Sequence, residues 1–178
     1  DSLRKLMDRS GRSVGGTPVI TIGSAGVGAG KRLLIRSLAL QFSQMNRRVL
    51  VVTLGDQDFR QKVDDHIEQI TLDTKLMGVN QLFQQARVRI SDRIKDVAPD
   101  FDLVLIEVNS ECEFLFSSMV EPEFFNIVLI NKKFRGVAHT RNFLQQYRRQ
   151  VGSFDRLFFV VNRVADGSLA RQMIRESS

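Results

Sequence analysis

The stretch "GSAGVGAGKRLL", Gly23 to Leu34, sets three alternating glycines before a lysine, the pattern of a loop that holds phosphate. Gly26, Gly28 and Gly30 let the backbone bend with its N–H groups pointing inward. A helix beginning after them offers its positive end, and Lys31 adds a full charge, so the segment is built to cradle phosphate. A working loop of this kind follows its lysine with Ser or Thr, whose hydroxyl holds magnesium. Here Arg32 and Leu33 follow instead. The anion-holding apparatus is present and the metal-holding oxygen is missing.

A phosphate loop acts only between a strand that presents it and a helix that follows. "TPVITIG" (17–23) is a short β-branched run that leads into the glycines, and "KRLLIRSLALQFSQMN" (31–46) places Leu34, Leu38 and Phe42 at four-residue spacing. "RVLVVTL" (48–54), "DLVLIEV" (102–108), "FNIVLIN" (125–131) and "RLFFVVN" (156–162) are continuous apolar runs, as strands covered on both faces should be. Helical stretches are expected at 79–98 and 135–151, with a short one closing the chain. Between Gln61 and Leu76 neither the helical nor the strand period is clear. The alternation predicts an α/β fold of the doubly wound kind, a mainly parallel sheet flanked by helices, in a single domain over 1–178.

With 178 residues, 43% of them hydrophobic, the chain can bury one sizeable core. No run approaches the roughly 20 apolar residues that span a bilayer, and the first residue is Asp1, which suggests a piece excised from a longer protein. Cys112 stands alone between Glu111 and Glu113, a setting that opposes a thiolate; His66 and His139 have no partners at metal-ligand spacing, which argues against a zinc site. The net charge of +6 is unevenly placed. From Asn131 to Ser178 there are ten Lys or Arg against three Asp or Glu, whereas Val108 to Asn131 holds four acids and no base. A basic third of this kind suits an anionic surface, an acidic partner or plain solvation. No nucleic-acid motif accompanies it, and nucleic acid is not expected as a partner.

Taken together, these segments resemble the cytoplasmic domain of the bacterial tyrosine kinases that belong to polysaccharide co-polymerases, relatives of the MinD and ParA ATPases. "DSLRKLM" is similar to the family's opening Glu-x-x-Arg-x-x-Arg helix at Asp1 and Arg4, with Met7 replacing the second arginine. The glycine loop matches at Ser24, Ala25, Gly28, Gly30 and Lys31; "DQDFR" supplies Asp56, Asp58 and Arg60 of an Asp-x-Asp-x-Arg motif. "FDLVLIE" and "FFVVNRV" resemble two later strands. The resemblance implies a P-loop NTPase-like domain with an N-terminal helix and linker at 1–12. It implies nucleotide contacts, with ATP or ADP, at Gly26, Val27, Gly28, Ala29, Gly30, Lys31, Arg32, Leu33, Asn162 and Arg163. Lys31, Asp56, Asp58 and Glu107 are the catalytic candidates it offers, with Asp56 and Glu107 as metal ligands.

The departures carry equal weight. Arg32 replaces the magnesium-binding hydroxyl, so magnesium binding is expected to be weak or absent. Asp56 falls about three residues late, leaving Thr53 and Gly55 where the family's two acids would stand without a gap. Glu107 replaces a strand-end aspartate. The interval from Arg60 to Phe101 is short for the family, which implies the loss of a strand. The family phosphorylates a tyrosine-rich tail, but the single tyrosine here, Tyr147, lies in an expected helix, so tail autophosphorylation is not expected.

Phosphoryl transfer depends on positioning and on metal neutralising charge, which leaves three expectations. The first is a degenerate, catalytically impaired member serving as a regulatory or assembly module of an exopolysaccharide machine on the cytoplasmic side of the bacterial inner membrane. Its partners would be the other proteins of that assembly and a second copy met through the N-terminal helix, with membrane association through flanking sequence. The second is an active kinase or ATPase with unusual metal ligation, and the third a MinD- or ParA-like positioning ATPase. Arg32 is further expected to pair with Glu107, Glu111 or Glu113 and partly close the phosphate pocket.

Overall fold

The computed structural model describes residues 16–24, 30–55, 59–73, 93–108, 124–131 and 155–162, together with 141, 144–145 and 148–149. Seven strands form one sheet: β1 (Val19–Ser24), β2 (Val49–Gly55), β3 (Phe59–Lys62), β4 (Ile67–Asp73), β5 (Leu103–Glu107), β6 (Phe125–Asn131) and β7 (Leu157–Asn162). Their order is β3-β4-β2-β5-β1-β6-β7. Every pairing is parallel except β3 with β4. This is the expected mainly parallel, doubly wound sheet of a P-loop NTPase-like single domain.

The apolar runs are continuous because both faces are covered, and alternate residues enter different cores. Val49, Val51, Leu103 and Leu105 pack with helix α1 (Lys31–Ser43). Leu50, Val52, Val104 and Ile106 pack on the opposite face with Ile94 and Ala98, from helical residues 93–97 and the 3-10 turn that follows. Helix α1 buries Ile35, Leu38, Ala39 and Phe42, one stripe at i, i+3, i+4 and i+7. It ends where Asn46 takes a left-handed conformation with φ 56°. There the Arg47 N–H donates to Phe42 O at 3.0 Å and the Asn46 N–H to Ser43 O at 2.9 Å, satisfying carbonyls the helix would otherwise orphan.

The unassigned segment after Arg60 is a β-hairpin. Asp64 Oδ1 accepts the N–H groups of His66 and Ile67 at 2.7 and 2.6 Å and fixes its turn. Within the interval from Arg60 to Phe101, β4 pairs along its whole length with β2; residues 74–92, where the strand loss implied by the resemblance would fall, lie outside the described residues. Parallel neighbours are usually joined by a helical crossover. Here β3 makes the return, running antiparallel along the outer edge of β4. All four β3 residues are exposed, and Arg60 and Lys62 place charges on that free edge.

The described residues at 93–97 and at 141, 144–145 and 148–149 are helical, within the two expected helices. The N-terminal helix at 1–12, the remainder of those helices and the closing one lie outside the described residues.

Candidate functional site

Strand β1 delivers the chain to Ser24 at the carboxyl edge of the sheet, and α1 resumes at Lys31. Gly30, the residue before the helix, has φ 89° and ψ 22°, a left-handed geometry that a Cβ would oppose. The first turn carries neither an acidic residue nor a side-chain cap, so its N–H groups keep the helix end positive. Lys31 folds back, and its Nζ donates to Ser24 Oγ at 2.9 Å. The ammonium is thereby held across the two ends of the glycine loop, where phosphate oxygens would meet it.

Glu107 comes to the same edge from β5, which runs between β1 and β2. It stands in register with Ile22 on one side and Thr53 on the other. Strand alternation puts it on the α1 face, where its side chain is only 8% exposed. A carboxylate so buried needs a counter-charge, and Arg32 supplies it: Nε lies 3.5 Å from Glu107 Oε1, while the arginine itself is 84% exposed. Of the three acids expected to meet Arg32, Glu107 is the partner; Glu111 and Glu113 lie outside the described residues.

Thr53 occupies the place beside Glu107. Its Oγ1 lies 2.9 Å from Thr71 Oγ1 on β4 and 3.4 Å from Ile70 O. The residue expected where an acid would stand is thus a hydroxyl already engaged with a neighbouring strand. No group of three or more His, Cys, Asp or Glu that could hold a metal occurs among the described residues. Gly30 and Lys31 fit a phosphate group, and among the described residues the cation beside Glu107 is the Arg32 guanidinium.

Of the site residues expected from sequence, Gly30, Lys31, Arg32 and Glu107 come together at this edge. Leu33 is on the first turn of α1 but 70% exposed. Asn162 ends β7, in register with Asn131 at the same edge, two strands beyond β1. Gly26, Val27, Gly28, Ala29, Asp56, Asp58 and Arg163 lie outside the described residues. Arg60, matched in the acidic motif, stands on edge strand β3 and pairs with Glu68 on β4. Sequence reasoning missed the Lys31–Ser24 contact and the Thr53–Thr71 pair. The first had a signal, since Ser24 is part of the loop motif; the second needed the pairing of β2 with β4.

No protein-family model matches the sequence, and no curated protein matches it. Solved structures do match in fold. A ParA family ATPase from Chlorobium tepidum TLS superposes with TM-score 0.70 at 14% identity, over 90% of this chain and 80% of that one. The kinase domain of Escherichia coli tyrosine kinase ETK gives 0.62 at 12% identity, over 94% and 75%. Cobyrinic acid a,c-diamide synthase from Mycobacterium smegmatis, with bound ATP analogue and magnesium, gives 0.63 at 14% identity, over 90% and 78%. What the chain shares with them is the fold of P-loop ATPases and bacterial tyrosine kinase domains.

Proposed function

We propose that this chain is a nucleotide-binding P-loop domain with weak or no catalysis, acting as a regulatory or assembly module. The observation that carries the reading is the Arg32–Glu107 contact of 3.5 Å. One residue replaces the hydroxyl expected to hold magnesium and neutralises the acid expected to assist it. A guanidinium supplies charge but orients no attacking group, and phosphoryl transfer depends on that orientation. Binding of ATP or ADP is supported by Gly30 and Lys31, and by similar folds that hold an ATP analogue or ADP with magnesium. That magnesium contributes little here rests on residue 32 alone.

The setting is also a proposal: exopolysaccharide biosynthesis and export, at the cytoplasmic side of a bacterial inner membrane, with the other proteins of a tyrosine-kinase assembly as partners and flanking sequence as the membrane link. It is supported by the sequence resemblance and by the fold likeness to tyrosine kinase domains such as that of ETK. No helix among the described residues is long and apolar enough to cross a membrane.

Magnesium-dependent ATP hydrolysis and phosphotransfer by the purified chain test the catalytic half of the reading. The expected result is no turnover above buffer, and no robust gain from Arg32→Thr, because Thr53 still stands where an acid would. Substantial turnover by the unaltered chain favours instead an active ATPase with atypical metal ligation, a reading that the buried Glu107 at the strand end keeps open. A positioning ATPase is favoured by the ParA fold likeness. It would be expected to carry a lysine early in the loop, where Ala25, Gly26 and Val27 offer none.

A further inference from the structure

With β3 making the return between β2 and β4, the only helix among the described residues that reaches the Ile67 face of β4 is α1, at the Ile67 end. The result is a cleft of about 450 Å³ between α1 and the β3–β4 hairpin. Its apolar lining includes Ile35, Leu40, Val51, Val63 and Ile67. Leu40 and Val63 are 52% and 55% exposed, an unusual condition for branched side chains facing a concavity. Such a volume falls within the range of small-molecule sites, roughly 300–1,000 Å³.

Charge at the rim decides what fits. Arg32 and Arg36 both line the cleft, one helical turn apart on α1. The two acids of the lining are already engaged: Glu107 with Arg32, and Asp64 with the backbone N–H groups of its own turn. Arg36 has no ion-pair partner among the described residues. An apolar slot with one unmatched guanidinium at its mouth, and amides of Gln61 and Gln69 within it, is complementary to an organic anion with an apolar body.

We infer that the cleft between α1 and the β3–β4 hairpin binds a single small amphiphilic organic anion, its apolar part on Val51 and Ile67 and its charged group on Arg36. The inference is centred on Arg36, Val51 and Ile67 and holds whether or not the loop binds nucleotide. The cleft shares Arg32 and Glu107 with the loop's edge, so an occupant reaching Arg32 would also bear on that ion pair.

Decanoate is the probe. Titrated into the isotopically labelled chain below its micellar range, it should give saturable amide shifts at Ile35–Leu40, Val51 and Ile67–Gln69, with one molecule bound. Removing a charge-assisted contact should weaken binding about tenfold or more in Arg36→Glu, while Arg36→Lys retains part of it. Arg36 is exposed, so neither change should disturb the fold. Decyltrimethylammonium should not bind, and phosphatidylglycerol vesicles should not displace decanoate, because the slot admits a free molecule and not a lipid surface. Indifference to Arg36→Glu, equal binding of the cationic probe, displacement by vesicles, or shifts that appear with protein concentration alone would each overturn the inference. The last would mean that a second copy fills the cleft.

Discussion

Arg32 and Glu107 form an ion pair whose members occupy opposite environments. The guanidinium on the first turn of α1 is 84% exposed, and the carboxylate at the end of β5 is 8% exposed. An arginine at a helix N-terminus works against the helix dipole at a cost of about 0.3–1 kcal/mol. The buried carboxylate offsets that cost by gaining a counter-charge. Replacing Arg32 with Met keeps the bulk and leaves the carboxylate uncompensated. Because one partner is in solvent, the expected loss is nearer ~1 kcal/mol than the value for a fully buried pair. Thermal unfolding should move down by about 2–4 °C. A double variant with Glu107→Leu should recover much of it, which separates charge from packing.

The hairpin that builds the cleft hangs on Asp64. Its Oδ1 accepts two backbone N–H groups, and Asp64→Ala returns both to water. A loss of about 1 kcal/mol is expected, with amide hydrogen exchange accelerated over β3 and β4 and little changed in β1, β5 and β6. Uniform acceleration across the sheet would show that the turn is not a local fastening.

Thr21 is fully buried in β1, and its hydroxyl has no hydrogen-bond partner among the described residues. A buried hydroxyl without a partner is costly. Thr21→Val removes it at nearly constant shape and is expected to stabilise the chain by about 1 kcal/mol, read from the denaturant midpoint at constant m-value. A loss of stability would mean that the hydroxyl is satisfied.

Lys62 and Asp65 bridge the same hairpin at 2.8 Å. The hydrogen bond from Lys62 and its charge hold the Asp65 carboxyl below its ordinary range, and Asp65 in turn raises the Lys62 ammonium. With a lowered acid, the stabilisation is present above the unfolded-state value and is lost as pH falls through the lowered one. With a raised ammonium, it is present below the unfolded-state value and is lost as pH rises through the raised one. Both groups are exposed, so the effect belongs to titration more than to stability. Carboxyl NMR should find Asp65 titrating low, and Lys62→Met should return it upward. An unchanged Asp65 titration in that variant would assign the shift to another source.

Five strands were legible because each is a continuous apolar run, and "LVVTL" or "LVLIE", covered on both faces, can be little else. Strands β3 and β4 were not. In β4 the buried residues are Ile67, Ile70 and Leu72. That spacing fits neither period, because one face of the strand is covered and the other opens into the cleft. Strand β3 is exposed along its length and carries no hydrophobic pattern at all. The Asp64–Asp65 turn followed by "IEQITL" was the available signal. At the site, Lys31, Arg32 and Glu107 could be named from sequence, since a loop motif and a strand end fix their places. That Thr53 stands where a family acid would fall followed from counting residues, but its place beside Glu107 and its tie to Thr71 required the β2–β5 and β2–β4 registers. Arg60, matched to a family motif with Asp56 and Asp58, proves to stand on the edge strand β3 beside Glu68, a place that only the hairpin reveals.

Under the proposed function, Arg32 stands in for a metal ion at the glycine loop. Calorimetric titration of the purified chain with ADP and ATP, in magnesium and again in chelator, tests it most directly. Measurable affinity is expected that changes less than about threefold on removing magnesium and falls about tenfold or more in Lys31→Met, since a charge-assisted contact is lost. Affinity that collapses in chelator would contradict it, because some other oxygen would then be holding the metal that Arg32 is said to replace.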